Sequence, residues 1–281
     1  MIKRTESFFN SFDGTKIFFQ YWEKPEYVGT VIITHGQGEH SDAYLRLIEG
    51  LQDSPWNFLA WDLRGHGRSE GQRGYASRFD DFTRDFSGLL THIQDRPQLK
   101  NKKTIFLAHS MGGLIQLKTQ FLFGLPPHEA QVLSAPLLGL SVAVPLIKDL
   151  GAVVMNQVFP RLTLSNEIRY ANLTRDPDVI LEFERDAFRH GKISSGVYLG
   201  MLESFPFVQE KAAEFKSPFL LQMSDNDPIV SSPAALKFFD AAGSPLKFKN
   251  IYHDGMHESY NDIHRATVYQ DLKEFLKKFE S

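Results

Sequence analysis

Lys103–Leu117, KTIFLAHSMGGLIQL, is the stretch on which the reading of this chain turns. Lys103–Ala108 is a short apolar run suited to a buried strand, and Met111–Phe123 follows almost at once with a helical composition. Ser110 stands at the junction, flanked two positions away on either side by Ala108 and Gly112. A sharp strand-to-helix turn of this kind, a nucleophile elbow, lifts a serine hydroxyl clear of the backbone. It also presses the two flanking positions together, so only very small side chains fit. Glycine is usual at both, and Ala108 adds one methyl group to that space. The competing reading makes Ser110 an ordinary helix N-cap, with the glycines serving helix–sheet packing. The strand before it and the helix after it favour the nucleophile. Met111 then offers its backbone N–H to an oxyanion hole, reinforced by the positive end of the helix it opens.

The same strand–helix beat extends in both directions. Upstream, Glu6–Phe12 and Lys16–Trp22 flank Asp13-Gly14, a pair suited to a tight hairpin turn. Gly29–Thr34 (GTVIIT) and Asn57–Trp61 read as strands and Ser41–Leu51 as a helix. Ser77–Ile93 places Phe79, Phe82, Phe86, Leu89, Leu90 and Ile93 at helical spacing. Downstream come strands at Ala130–Leu133, Pro218–Met223 and Leu246–Ile251, with helices at Ser232–Ala241 and Ile263–Phe279. Short apolar strands alternating with helices predict an α/β fold, a mostly parallel sheet covered on both faces.

The beat breaks between Leu137 and Phe215. Leu137–Pro160 is strongly apolar, but Pro145, Lys148-Asp149 and Asn156 interrupt it short of the ~18 apolar residues of a membrane span. Asp176–His190 and Ser194–Glu210 read as helices with charged faces. The expectation is a core of residues 1–136 and 216–281 and a mainly helical insertion, 137–215. Such an insertion lies over the C-terminal edge of the sheet, where open α/β folds bind ligands, and acts as a lid. Leu137, Leu140, Val144, Ile147 and Leu150 are its candidate substrate-lining residues. An acyl chain buried against them gains roughly 0.8 kcal/mol per methylene, which favours a single-chain lipid ester. The alternative is that they only pack the lid onto the sheet. An apolar outer face would add brief membrane contact.

Composition narrows the classes. The chain has 281 residues, 42% of them hydrophobic, and a formal charge of −3 with both signs interspersed. No basic stripe exists, which disfavours a nucleic-acid partner. Cysteine is absent, removing disulfides and thiolate chemistry and suiting a reducing compartment. The N-terminal stretch MIKRTESFFNSFDG lacks the roughly 7–15-residue apolar run of a secretory signal, so a cytoplasmic location is expected, peripheral at a membrane if the lid touches one. Twenty-four phenylalanines are available to a core and to an apolar pocket.

Four loops carry the remaining candidates. Thr34-His35-Gly36-Gln37-Gly38 leaves the first parallel strand, and the Gln37 N–H is the second oxyanion donor. His35 orders that loop, and Ser41 is read as a helix cap after Glu39-His40. Asp62–Ser69 (DLRGHGRS) matches neither glycine-rich nucleotide signature and reads as a structural loop, with Asp62 and Arg64 satisfying backbone groups or each other. Triads of this geometry run Ser, acid, His along the chain. Asp225 and Asp227 are the acids after the insertion, and His253 and His257 the bases. Asp227 is preferred because Pro228-Ile229-Val230 anchors it, and His257 because Gly255 frees its loop. No metal or other cofactor is required: the ten histidines are scattered and no His-Glu-x-x-His occurs.

These residues resemble the monoglyceride lipase and lysophospholipase branch of the α/β-hydrolases, often grouped with serine aminopeptidase-like hydrolases. The matching stretches are His35–Ser41 (HGQGEHS), Gly65–Gly71 (GHGRSEG) and His109–Gly113 (HSMGG), with the Asp227-Pro228-Ile229-Val230 and His257 loops. The resemblance implies the α/β-hydrolase fold, with an eight-stranded core and a lid after the sixth strand. It also implies hydrolysis of monoacylglycerol or lysophospholipid esters and carries roles to Ser110, Asp227, His257, Gln37 and Met111. Three other outcomes stay open: an aminopeptidase gripping an amine through Glu182, Glu184 or Asp186, a short-chain carboxylesterase or thioesterase, and a non-enzymatic binding protein of the same fold.

Overall fold

The computed structural model describes residues 2–142 and 146–281. In chain order the elements are β1 (Lys3–Asn10), β2 (Lys16–Glu23), β3 (Gly29–Thr34), α1 (Leu45–Gly50), β4 (Trp56–Trp61), α2 (Asp80–Ile93), β5 (Lys103–His109), α3 (Met111–Phe123) and β6 (Ala130–Ser134). Then come α4 (Leu146–Val158), β7 (Thr163–Ser165), α5 (Pro177–Arg185), β8 (Lys192–Ser194) and α6 (Ser195–Glu210). The chain closes with β9 (Phe219–Ser224), α7 (Ser232–Ala241), β10 (Lys247–Tyr252) and α8 (Arg265–Lys277). One eight-stranded sheet has the order β1-β2-β4-β3-β5-β6-β9-β10, antiparallel at β1/β2 and β2/β4 and parallel from there on.

Alternation along the central strands feeds two cores. Ile32 and Phe106 point to the layer of α2, α3 and α7, packing with Phe82, Phe86, Leu114 and Phe238. Val31, Ile33, Ile105 and Leu107 point to the opposite layer, with Leu47 of α1 and Leu272 and Phe275 of α8. Burial on both faces explains why these strands read as unbroken apolar runs.

Among the described residues, the chain between β6 and β9 holds three α-helices, two short 3₁₀ turns and the two-stranded ribbon β7/β8. Val197, Met201 and Val208 of α6 join the same buried cluster as α3, and α4 packs on α6, where Tyr198 Oη donates to Asp149 Oδ1 at 2.7 Å. No helix among the described residues is long and apolar enough to cross a membrane.

Four predicted helices are shorter than expected: α2 begins at Asp80 rather than Ser77, α8 runs Arg265–Lys277 rather than 263–279, and distant partners reshape two more. Residues 41–51 split into a 3₁₀ turn, Ser41–Tyr44, and α1. Ser41 is not a cap, because its hydroxyl accepts from Gln20 Nε2 at 2.7 Å while its amide donates to Asp62 Oδ1 at 2.7 Å. The helix expected over 176–190 stops at Arg185, because Asp186 turns away to His40 Nε2 at 2.7 Å.

Candidate active site

Ser110 has φ +53° and ψ −122°, backbone that a non-glycine residue adopts at a cost of about 1–3 kcal/mol. The sheet holds it there: its amide donates to Ser134 O at 3.0 Å, and its carbonyl accepts from Gly113 and Leu137. A Cβ on Gly112 would collide with the carbonyl oxygens of Thr34 and His35, and one on Gly36 would stand 2.9 Å from the Ser110 Cβ. The elbow forms with Ala108 in place: its methyl is fully buried within β5, between Thr34 of β3 and Leu133 of β6.

His257 reaches Ser110 from the loop after β10. Its Nε2 lies 2.9 Å from Ser110 Oγ, and its Nδ1 lies 2.7 Å from Asp227 Oδ2. Asp227 comes from the loop after β9, where its other oxygen accepts the amides of Ile229 at 2.8 Å and Val230 at 3.0 Å. With the carboxylate accepting from Nδ1–H, the lone pair on Nε2 faces the serine hydroxyl, as a base requires. Burial by itself would raise the Asp227 pKa, but the His257 ring and the two amides outweigh it and hold the group below the usual carboxylate range. Burial likewise works against a charged His257, and the Asp227 carboxylate, aided by Glu258 and Glu39, outweighs it and lifts that pKa above 6.5.

The rejected pair found each other. Asp225 Oδ2 bonds His253 Nδ1 at 2.7 Å, with the His253 side chain 83% exposed. His109, its ring centroid 4.7 Å from that of His257, is pushed down to about 3 by burial and by the neighbouring imidazole.

Met111 opens α3, and Gln37 follows the glycine that touches Ser110. Among the described residues neither backbone amide donates to a protein acceptor, while the Gln37 side chain is turned away to Lys192 O at 2.7 Å. His35 orders the loop as expected, with Nδ1 on Gly36 O at 2.7 Å and Nε2 accepting from Leu63 N at 2.9 Å. Asp62 takes backbone amides, whereas Arg64 turns to Asp85 and Asp13 rather than to Asp62.

The cavity beside Ser110 has a free volume of about 80 Å³ and draws its apolar lining from Ile168, Tyr170, Leu173 and Ile229. This departs from the expected Leu137, Leu140, Ile147 and Leu150. Leu137 is buried in the main core, and Leu140 bridges to Val230. Ile147 and Leu150 lie on the outward face of α4, 79% and 68% exposed, and Val144 falls outside the described residues. Of the acids proposed to grip an amine, Glu182 pairs with Arg46 and Asp186 with His40, and neither they nor Glu184 line the cavity.

The sequence reading missed three charged side chains that do line it, Glu39, Arg189 and Glu258, each 3–5% exposed. Glu39 lies inside the His35–Ser41 stretch already singled out, and Glu258 directly follows His257, which was the available signal. Arg189 lies in no motif.

Comparison with known proteins agrees with this fold. The family model described as serine aminopeptidase, S33, matches residues 25–264. The chain is 32% identical to the monoglyceride lipase of Homo sapiens over 268 residues, 91% of this chain and 84% of that one. It is 25% identical to phospholipase YtpA of Bacillus subtilis over 259 residues, 92% and 98% of the two chains. The crystal structure of Paleococcus ferrophilus monoacylglycerol lipase superposes over all of both chains with a TM-score of 0.81 at 23% identity. The family match, spanning most of the chain, places it in the serine aminopeptidase S33 family, within the monoglyceride lipase branch of the α/β-hydrolases, and makes it a hydrolase of the serine type.

Proposed function

We propose that the protein cleaves single-acyl-chain lipid esters, monoacylglycerol foremost, through an acyl-enzyme on Ser110. The observation that carries this is the unbroken chain Asp227–His257–Ser110, at 2.7 and 2.9 Å, at the apex of the elbow. His257 Nε2 takes the hydroxyl proton as Ser110 Oγ attacks the ester carbonyl, and the Met111 and Gln37 amides hold the oxyanion, about 3–4 kcal/mol for each well-placed donor. His257 then returns the proton to the departing alkoxide. Water enters, gives a proton to the same nitrogen and attacks the acyl carbonyl; the bond to Ser110 Oγ breaks, His257 returns the proton to that oxygen, and the fatty acid leaves. Asp227 keeps the imidazole in its productive tautomer throughout.

The lipid substrate is supported by the names of the relatives and by the character of residues 137–215, which we read as a cap over the core. The space beside Ser110 falls well below the roughly 300–1,000 Å³ of pockets that engulf larger ligands. Admitting an acyl chain therefore requires the cap outside residues 172–192 to shift. The aminopeptidase reading lacks the grip expected of it, because none of Glu182, Glu184 and Asp186 lines the cavity. A hydrolysis screen checks the assignment: monoacylglycerols are expected to be turned over faster than lysophospholipids, short-chain esters or amino-acid arylamides. Cleavage of arylamides without cleavage of glycerol esters would overturn it.

The outward face of α4 also supports brief contact with a lipid surface, since Ile147, Leu150, Val154 and Val158 all stand in solvent. The wild-type protein is expected to co-sediment with phosphatidylcholine vesicles, and the double variant Ile147→Glu/Leu150→Glu to stay in the supernatant. Wild-type protein left wholly in the supernatant would contradict that contact.

A further inference from the structure

The cap does more than cover the site: its stretch from Asn172 to Lys192 is bonded to both loops on which the chemistry depends. Toward the Gln37 loop, His190 N donates to Gly38 O at 3.0 Å, and Gly38, at φ +79°, has no room for a Cβ against the His190 carbonyl. Toward the His257 loop, Glu258 N donates to Leu173 O at 2.8 Å, His257 N to Asn172 O at 3.4 Å, and Thr174 Oγ1 to Asn261 O at 3.0 Å.

Arg189 stands where these two attachments meet. Its guanidinium holds Glu258 by two parallel bonds, 2.8 and 2.9 Å, approaches Glu39 Oε2 at 3.9 Å, and lies over the Phe183 ring at 3.5 Å from the centroid. Glu258 is the residue after the base. Glu39 accepts the Gly36 amide at 2.5 Å and the Tyr44 hydroxyl at 3.1 Å, which sets the backbone turn that aims the Gln37 N–H. A planar, bidentate cation is therefore the shared anchor of the base and of one oxyanion donor.

We infer that Arg189 is a positioning residue: through Glu258 and Glu39 it fixes His257 and the Gln37 amide relative to Ser110, so that this part of the cap is a fixed component of the active site. The inference rests on the serine mechanism proposed above. Burial alone would raise both carboxyl groups. Arg189 outweighs that at Glu258 and holds it low, while burial and the charge on Glu258 keep Glu39 high. Charged and titratable groups reach His257 from every side: Asp227 from the β9 loop, Glu258 from its own loop, His109 from β5, Glu39 from the β3 loop and Arg189 from the cap.

The test uses the full chain with p-nitrophenyl butyrate, active sites counted by fluorophosphonate titration and folding followed by Tm. Wild type is expected to lose kcat/KM as pH falls through a His257 pKa above 6.5, since only the neutral ring accepts the serine proton. Arg189→Met should lower kcat per active site by about 10²-fold with KM little changed, the scale of a misplaced catalytic group. Arg189→Lys should recover part of that loss. Removing the cation leaves net negative charge beside His257, so the acid limb moves to higher pH. Glu258→Gln removes a carboxylate and moves it to lower pH, and it decides the matter should Arg189→Met fail to fold. Wild-type kcat per active site and an unmoved acid limb in these variants, with Ser110→Ala inactive, would overturn the positioning role. Retained turnover in Ser110→Ala would instead overturn the serine mechanism and the inference with it.

Discussion

Ser110→Ala is expected to reduce kcat for a monoacylglycerol by about 10⁴- to 10⁶-fold, leaving only the catalysis that binding and the oxyanion donors supply. The fold should survive the change, because the Ser110 backbone bonds to Ser134, Gly113 and Leu137 are untouched and the strained φ of +53° remains. The measurement is steady-state turnover of purified variant and wild type, with Tm as the control. A variant within tenfold of wild type would mean that the nucleophile lies elsewhere.

Asp227→Asn carries the second large effect, about 10⁴-fold in kcat. Oδ1 of Asp227 already accepts the amides of Ile229 and Val230, so the oxygen of the introduced amide is claimed by them. Its NH₂ group is then left facing His257 Nδ1, which must become an acceptor. The ring proton moves to Nε2, the nitrogen that has to receive the serine proton, and the base is lost without any change in shape. Asp225→Asn serves as the counterpart. Its partner His253 stands in solvent, where an ion pair contributes little, so turnover should be nearly unchanged. Parallel kcat measurements on the two variants decide the assignment, and equal losses would undo it.

The reasons for this outcome also explain what could be read from the chain unaided. The central strands were legible because burial on both faces demands continuous apolar runs, as in Gly29–Thr34 and Lys103–His109. Ser110, Asp227 and His257 were legible because each follows the C-terminal end of a parallel strand, β5, β9 or β10, where chain order and small neighbours constrain chemistry. Boundaries set by distant partners were not. Gln20 and Asp62, not local propensity, decide how residues 41–44 turn, and His40 ends the helix at Arg185 by drawing Asp186 away. Arg189 was invisible for the same reason: its bidentate partner lies 69 residues further along the chain. The apolar stretch Leu137–Pro160 concealed a division, with its first residues in the core and α4 facing outward. Hydrophobicity records that such residues avoid water, not what they meet instead.

The central claim is that one serine, activated by His257, forms the covalent intermediate. Reaction with a fluorophosphonate followed by peptide mapping tests it directly. The account predicts a single adduct on the peptide containing Ser110, and its disappearance in His257→Ala. An adduct on any other residue, or none while ester turnover continues, would contradict it.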